Sequence, residues 1–135
     1  MNRLFVTILV AAASLSFASA SIAATSEAKA AYNAATDAAS ADYKLARAKC
    51  DALADNPKDV CIAEAKAARV HTKSEARAQY KNTLRARTNA RKDMAKADYA
   101  VAKAKCGSLT GNAKDVCIKE AKSAKVAAID RKSVV

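Results

Sequence analysis

Tryptophan is absent from this chain. Phenylalanine, proline, glycine and histidine nearly are, with two Phe, one Pro, two Gly and one His in 135 residues. Each scarcity excludes something. Two glycines cannot furnish a phosphate-cradling loop. A lone histidine, His71, leaves acid–base catalysis short of parts. No Cys-x-x-Cys pair occurs, and a cysteine spacing of ten intervening residues without neighbouring histidines does not suit zinc. Redox catalysis, haem attachment and a structural metal are therefore not expected, and no cofactor is. Large apolar side chains are few as well. Most of the 52% hydrophobic content is alanine, so a thick oily core is excluded. The expectation is a protein that is not an enzyme, with helices too thin to enclose a ligand-sized pocket.

What remains is rich in helix formers: Ala, Lys, Arg and Glu dominate. The N-terminal MNRLFVTILVAAASLSFASASIAA reads as a signal peptide over residues 1–24. Arg3 gives a positive start, Leu4 to Ala13 an apolar core, and Ala18-Ser19-Ala20 or Ile22-Ala23-Ala24 a cleavage site. The apolar run is shorter than the roughly 20 residues a bilayer span needs, so the mature chain is expected to leave the membrane. No later stretch is apolar enough to span one. Four cysteines in an exported chain read as two disulfides.

Residues 41–70 align with 97–126 without a gap, ADYKLARAKCDALADNPKDVCIAEAKAARV over ADYAVAKAKCGSLTGNAKDVCIKEAKSAKV. Such a match means one structural unit used twice. Each copy reads as helix, tight turn, helix. Gly111 suits a left-handed turn position, Asn56 and Asn112 suit N-caps, and Pro57 suits the first helical position. Four cysteines allow three pairings; the repeat favours Cys50–Cys61 and Cys106–Cys117. Small residues and tyrosines lie on the cysteine stripe at spacings of three and four. Ala28, Tyr32, Ala35, Ala39, Tyr43 and Ala46 precede Cys50; Ala95, Tyr99 and Ala102 precede Cys106; Ala65 and Ala68 follow Cys61; Ala121, Ala124 and Ala128 follow Cys117. A stripe of this kind lets antiparallel helices approach closely and aims each cysteine at its partner.

The expected fold is all-α: two disulfide-stapled antiparallel helical hairpins sharing a long central helical segment. Hairpin register sets Ser26 opposite Arg85, and Val135 opposite Thr88, so the outer helices barely overlap along the middle. No Gly or Pro stands between Pro57 and Gly107. An extended central helix of about 75 Å is preferred, because few large apolar residues remain to join the hairpins. The alternative is a break at Thr88-Asn89, the weakest helix formers there, with the hairpins closing into a four-helix bundle.

With Arg3 set aside, 23 Lys+Arg face 13 Asp+Glu. One stretch, RAQYKNTLRARTNARK from Arg77, has six cations and no acid: Arg77, Lys81, Arg85, Arg87, Arg91 and Lys92. These are candidate anion-binding residues, weighed against a merely solvated basic helix. Candidate partners are an unknown envelope protein or an anionic envelope polymer. Nucleic acid is disfavoured by the export signal and by tyrosines that sit on the seam, not among the cations.

The repeated Ala-Asp-Tyr, Ala-Lys-Cys, Lys-Asp-Val-Cys-Ile and Glu-Ala-Lys, behind a signal peptide, resemble a group of small exported Ala/Lys-rich helical proteins of Gram-negative bacteria, some labelled TolA-like cell-envelope biogenesis proteins. The resemblance covers about residues 25–130. It implies a periplasmic location, helical hairpins and no known catalysis. The expected function is a structural or interaction role at the envelope. A cationic polyanion-binding or stress-protective role is the alternative.

Overall fold

The computed structural model describes the backbone of residues 20–130 and the side chains of residues 25–130. The export signal expected at 1–24 lies outside the described residues, apart from the backbone of its last five. Four helices account for nearly all of the rest: α1 (Ala20–Lys49), α2 (Asp55–Lys81), α3 (Leu84–Lys105) and α4 (Gly111–Asp130). Short 3₁₀ turns, Cys50–Ala52 and Cys106–Ser108, follow α1 and α3.

The two repeat units fold alike. At each cysteine the helix tightens into a 3₁₀ turn, closed by Leu53 N–H donating to Cys50 O and by Leu109 N–H donating to Cys106 O, both 3.1 Å. Extended backbone follows, at Leu53 and Ala54 in the first copy and Leu109 in the second, then a residue in the left-handed region: Asp55 at φ 50° and Gly111 at φ 54°. Glycine takes that conformation without strain, whereas Asp is held there at a cost on the order of 1 kcal/mol. The left-handed residue opens the second helix; it does not close the first. Disulfides join Cys50 to Cys61 and Cys106 to Cys117, with Cα–Cα distances of 5.6 and 5.8 Å. The pairing favoured by the repeat is the one formed.

Hairpin register also follows the sequence. Tyr32 stacks on Tyr80 with ring centroids 5.2 Å apart. The Arg69 guanidinium lies 4.1 Å over the Tyr43 ring, and the Lys125 ammonium 4.6 Å over Tyr99. Each partner is one residue past its expected opposite number. The last two contacts occupy equivalent positions in the repeat, so each hairpin has a second clasp about two helical turns from its disulfide. Exposed cation–π contacts contribute roughly 0.5–1 kcal/mol each.

The central segment departs from expectation. It is neither one long helix nor broken at Thr88-Asn89. Asn82 takes a left-handed conformation (φ 44°, ψ 37°), donating its N–H to Ala78 O at 2.9 Å. Thr83 is extended, and its hydroxyl accepts from Ala86 N–H at 3.1 Å, capping α3. Asn visits the left-handed region more cheaply than most residues, and Thr is a good N-cap; adjacent, they end one helix and start another. Arg87 donates to the Asn82 carboxamide oxygen across the turn. Arg85 therefore begins α3 and does not extend the helix facing Ser26.

With the chain reversed at Asn82, α3 packs antiparallel on α2. Packing runs in chain order, α1 on α2, α2 on α3 and α3 on α4, and no other helix pair packs to a comparable extent. The result is a row one helix thick, not the closed bundle of the alternative expectation. Its buried hydrophobic residues are eight alanines (39, 65, 67, 76, 86, 90, 95 and 121) with Cys50 and Cys106. The two largest fully buried side chains are thus cysteines. Ala39, Ala65, Ala95 and Ala121 lie on the expected cysteine stripe, while Ala28, Ala68, Ala124 and Ala128 are exposed. Ala67, Ser74, Ala86 and Ala90 line the α2–α3 contact, a second small-residue seam.

Polar ties fasten that second seam. His71 Nε2 and Asp98 Oδ1 are 2.7 Å apart, and Lys105 Nζ is 2.9 Å from Glu64 Oε1. Asn56 does not cap its own helix. Its amide donates to Ala104 O of α3 at 2.7 Å, in the last turn, where the helix's carbonyls lack the usual i+4 donors. A Cβ on Gly107 would stand 2.3 Å from Asn56 Nδ2, which explains glycine where the first repeat has Asp51.

Candidate anion-binding face

Helical spacing decides which cations meet. On α2, Lys66, Arg69, Lys73, Arg77 and Lys81 recur at steps of three or four, so they form one ladder. Glu64, His71 and Glu75 recur at steps of seven and four on the opposite stripe. The row of helices therefore has a cationic side and a mixed side.

On the cationic side, α2 and α3 flank an open groove of about 640 Å³. Its floor is small and apolar: Ala63, Ala67, Val70, Ala97 and Ala100, with Ser74. Its rim carries Lys66, Arg69, Lys73 and Arg77 from α2 and Lys96 from α3, against one acid, Asp93. A second cleft of about 570 Å³ adjoins the α2–α3 turn, lined by Arg77, Lys81, Thr83, Arg85 and Asn89. Arg77 belongs to both, so the two form one continuous surface. None of these seven cations is in an ion pair with any described residue. Like charges along a helix repel, which an arriving anion would relieve.

The six cations expected from sequence divide. Arg77, Lys81 and Arg85 converge on the turn cleft. Lys92, exposed, stands four residues before Lys96 on the same face of α3. Arg87 points the other way, to Asn82 and a small cleft it shares with Glu75. Arg91 is half-buried; one terminal nitrogen donates to Thr88 Oγ1 at 3.4 Å, and its Nε is buried without a partner. Arg87 and Arg91 are thus not part of the groove. Sequence reading missed Lys66, Arg69, Lys73 and Lys96. The signal that marks the three on α2 is the periodic ladder running into Arg77, hidden by the interspersed Glu64 and Glu75; Lys96 is marked by its four-residue step from Lys92.

One acid is tuned. Hydrogen bonding from Arg47 at 2.7 Å, then from Lys58 at 3.4 Å, holds the Asp51 carboxyl below its ordinary range. That triad pins the first turn and is remote from the groove. Among the described residues, no three His, Cys, Asp or Glu side chains gather into a metal-binding group. Nor is any described helix long and apolar enough to cross a membrane.

No family model, curated protein or solved structure matches this chain. Function is therefore argued from the surface itself.

Proposed function

We propose that this chain is a non-enzymatic interaction protein of the bacterial envelope, exported to the periplasm, and that its working surface is the cationic groove over α2 and α3. Its partner is anionic. The observation that supports this most directly is the convergence of seven cations without ion-pair partners around one concave surface that includes a single acid. Most charged helical surfaces intersperse signs and pair them locally; this one segregates them. Two formed disulfides fit an oxidising compartment, as does the leader-like N-terminus. The resemblance to exported Ala/Lys-rich helical proteins points the same way.

The test is capture from a periplasmic extract by the oxidised, signal-free protein at about 50 mM and about 500 mM salt. An anionic partner held by this face is released by salt, because binding rests on displaced counterions. Capture of a single protein species that persists at high salt would replace this reading with a structural or scaffolding role.

A further inference from the structure

Resting on that reading, we propose that the groove takes a flexible linear chain of phosphate groups, phosphodiester or phosphoanhydride, laid along α2 and held by its charges alone. Shape carries the choice of ligand. The α2 ladder runs from Lys66 to Lys81, about 22 Å at 1.5 Å per residue. Its cations stand about 5–6 Å apart, a spacing that a chain of regularly placed anions can follow. Lys96 and Arg85 of α3 form the opposite bank. A single headgroup or free phosphate would engage only one or two rungs of this ladder.

Other anionic partners fit less well. Interfacial binding to a bilayer calls for bulky apolar or aromatic side chains that insert beside the cations. The groove offers Ala63, Ala67, Ala97, Ala100 and Val70. An acidic protein surface would want a buried aromatic or aliphatic anchor and a pocket to receive one; the floor is shallow and open. No aromatic side chain lines either cleft, so bases have nothing to stack on. A nucleic acid would be held by its backbone, without regard to base. The ligand is therefore defined by a run of phosphates long enough to follow the ladder.

The experiment is binding of the disulfide-intact protein to labelled oligothymidylates of increasing length, to medium-chain polyphosphate, to inorganic phosphate and to vesicles of anionic phospholipid. Affinity for the oligothymidylates should rise with length until roughly five phosphates span the ladder, then level off apart from statistical gain. With about seven contacts, the slope of log K against log salt should be about −5, an approximately 10³-fold loss between 50 and 200 mM salt. The variant Lys73→Gln/Arg77→Gln/Lys96→Gln should lower that slope by about 2. A control of equal charge change on exposed α4 positions, Lys114→Gln/Lys119→Gln/Lys122→Gln, should leave it nearly unchanged. Circular dichroism of both variants checks that the helices persist.

Equal effects of the two triple variants would overturn the groove while leaving anion binding by the chain in place. So would tighter binding to vesicles than to polymer at matched phosphate, or no dependence on length. Absence of salt-sensitive binding to every anion would overturn the functional reading itself.

Discussion

Replacing Gly107 by alanine should lower stability, although the same change in an ordinary helical turn raises it. Gly→Ala at a position with permissible backbone angles gains about 0.4–1 kcal/mol, by reducing the freedom of the unfolded chain. Gly107 has no left-handed angle to forbid the change. Its obstacle is Asn56 Nδ2, 2.3 Å from where the new Cβ would sit. The amide must move, and in moving it gives up its 2.7 Å bond to Ala104 O. A carbonyl deprived of its partner there costs about 1–3 kcal/mol. The net expectation is destabilisation by about 1 kcal/mol, or roughly 3–6 °C in melting temperature for a chain of this size. The decisive comparison uses the Asn56→Ala background, where the obstruction is gone and Gly107→Ala should become stabilising. Urea or thermal unfolding followed by circular dichroism, with disulfides intact, gives all four corners of the cycle. A Gly107→Ala effect of the same sign and size in both backgrounds would show that the two hairpins do not meet through this contact.

Three further outcomes follow from the same geometry. Replacing Cys50 and Cys61 together by alanine should cost about 3 kcal/mol from the lost loop constraint, a large fraction of what an alanine-lined row can hold, so the melting transition should fall sharply or vanish. Asn82→Ala should destabilise the α2–α3 turn by about 1–2 kcal/mol, since alanine lacks the side chain that eases the left-handed conformation; Asn82→Gly should cost less, as unfolding curves would show. Asp51 has its pKa depressed in the fold, so its contribution is present above the ordinary Asp range, near pH 4, and is lost as pH falls through the lower folded value. Asp51→Asn should therefore shallow the decline of stability below about pH 4, measured by unfolding at a series of pH values.

Much of this fold was legible from the repeat. It named the hairpins and the disulfide pairs, and it set the register to within one residue at Tyr43 and Tyr99. The reversal at Asn82-Thr83 was not legible. Thr88-Asn89 offers the same residue types five to seven positions later. What separates the sites is tertiary: turning at Asn82 lays Ala67 and Ser74 of α2 beside Ala97 and Ala100 of α3, a gain no local propensity reports. Asn56 was misread for a related reason. An Asn before Pro at a helix start has the right chemistry for a cap, but a C-terminal carbonyl of α3 lay within its reach. Half of the candidate site was found through its lack of acids. The other half lay among acids that the helix turns to the far side, so composition along the chain concealed a segregation that exists only in three dimensions.

A row one helix deep has no centre that every part must share. Each hairpin meets only the next one along, and the joint between them is made of alanines, a serine and three polar ties. Another copy of the unit could be appended at an end without redesigning what is already there, much as solenoids lengthen. Each added joint would set another groove beside the present one, so the surface would widen across the helices while the ladder along α2 kept its length.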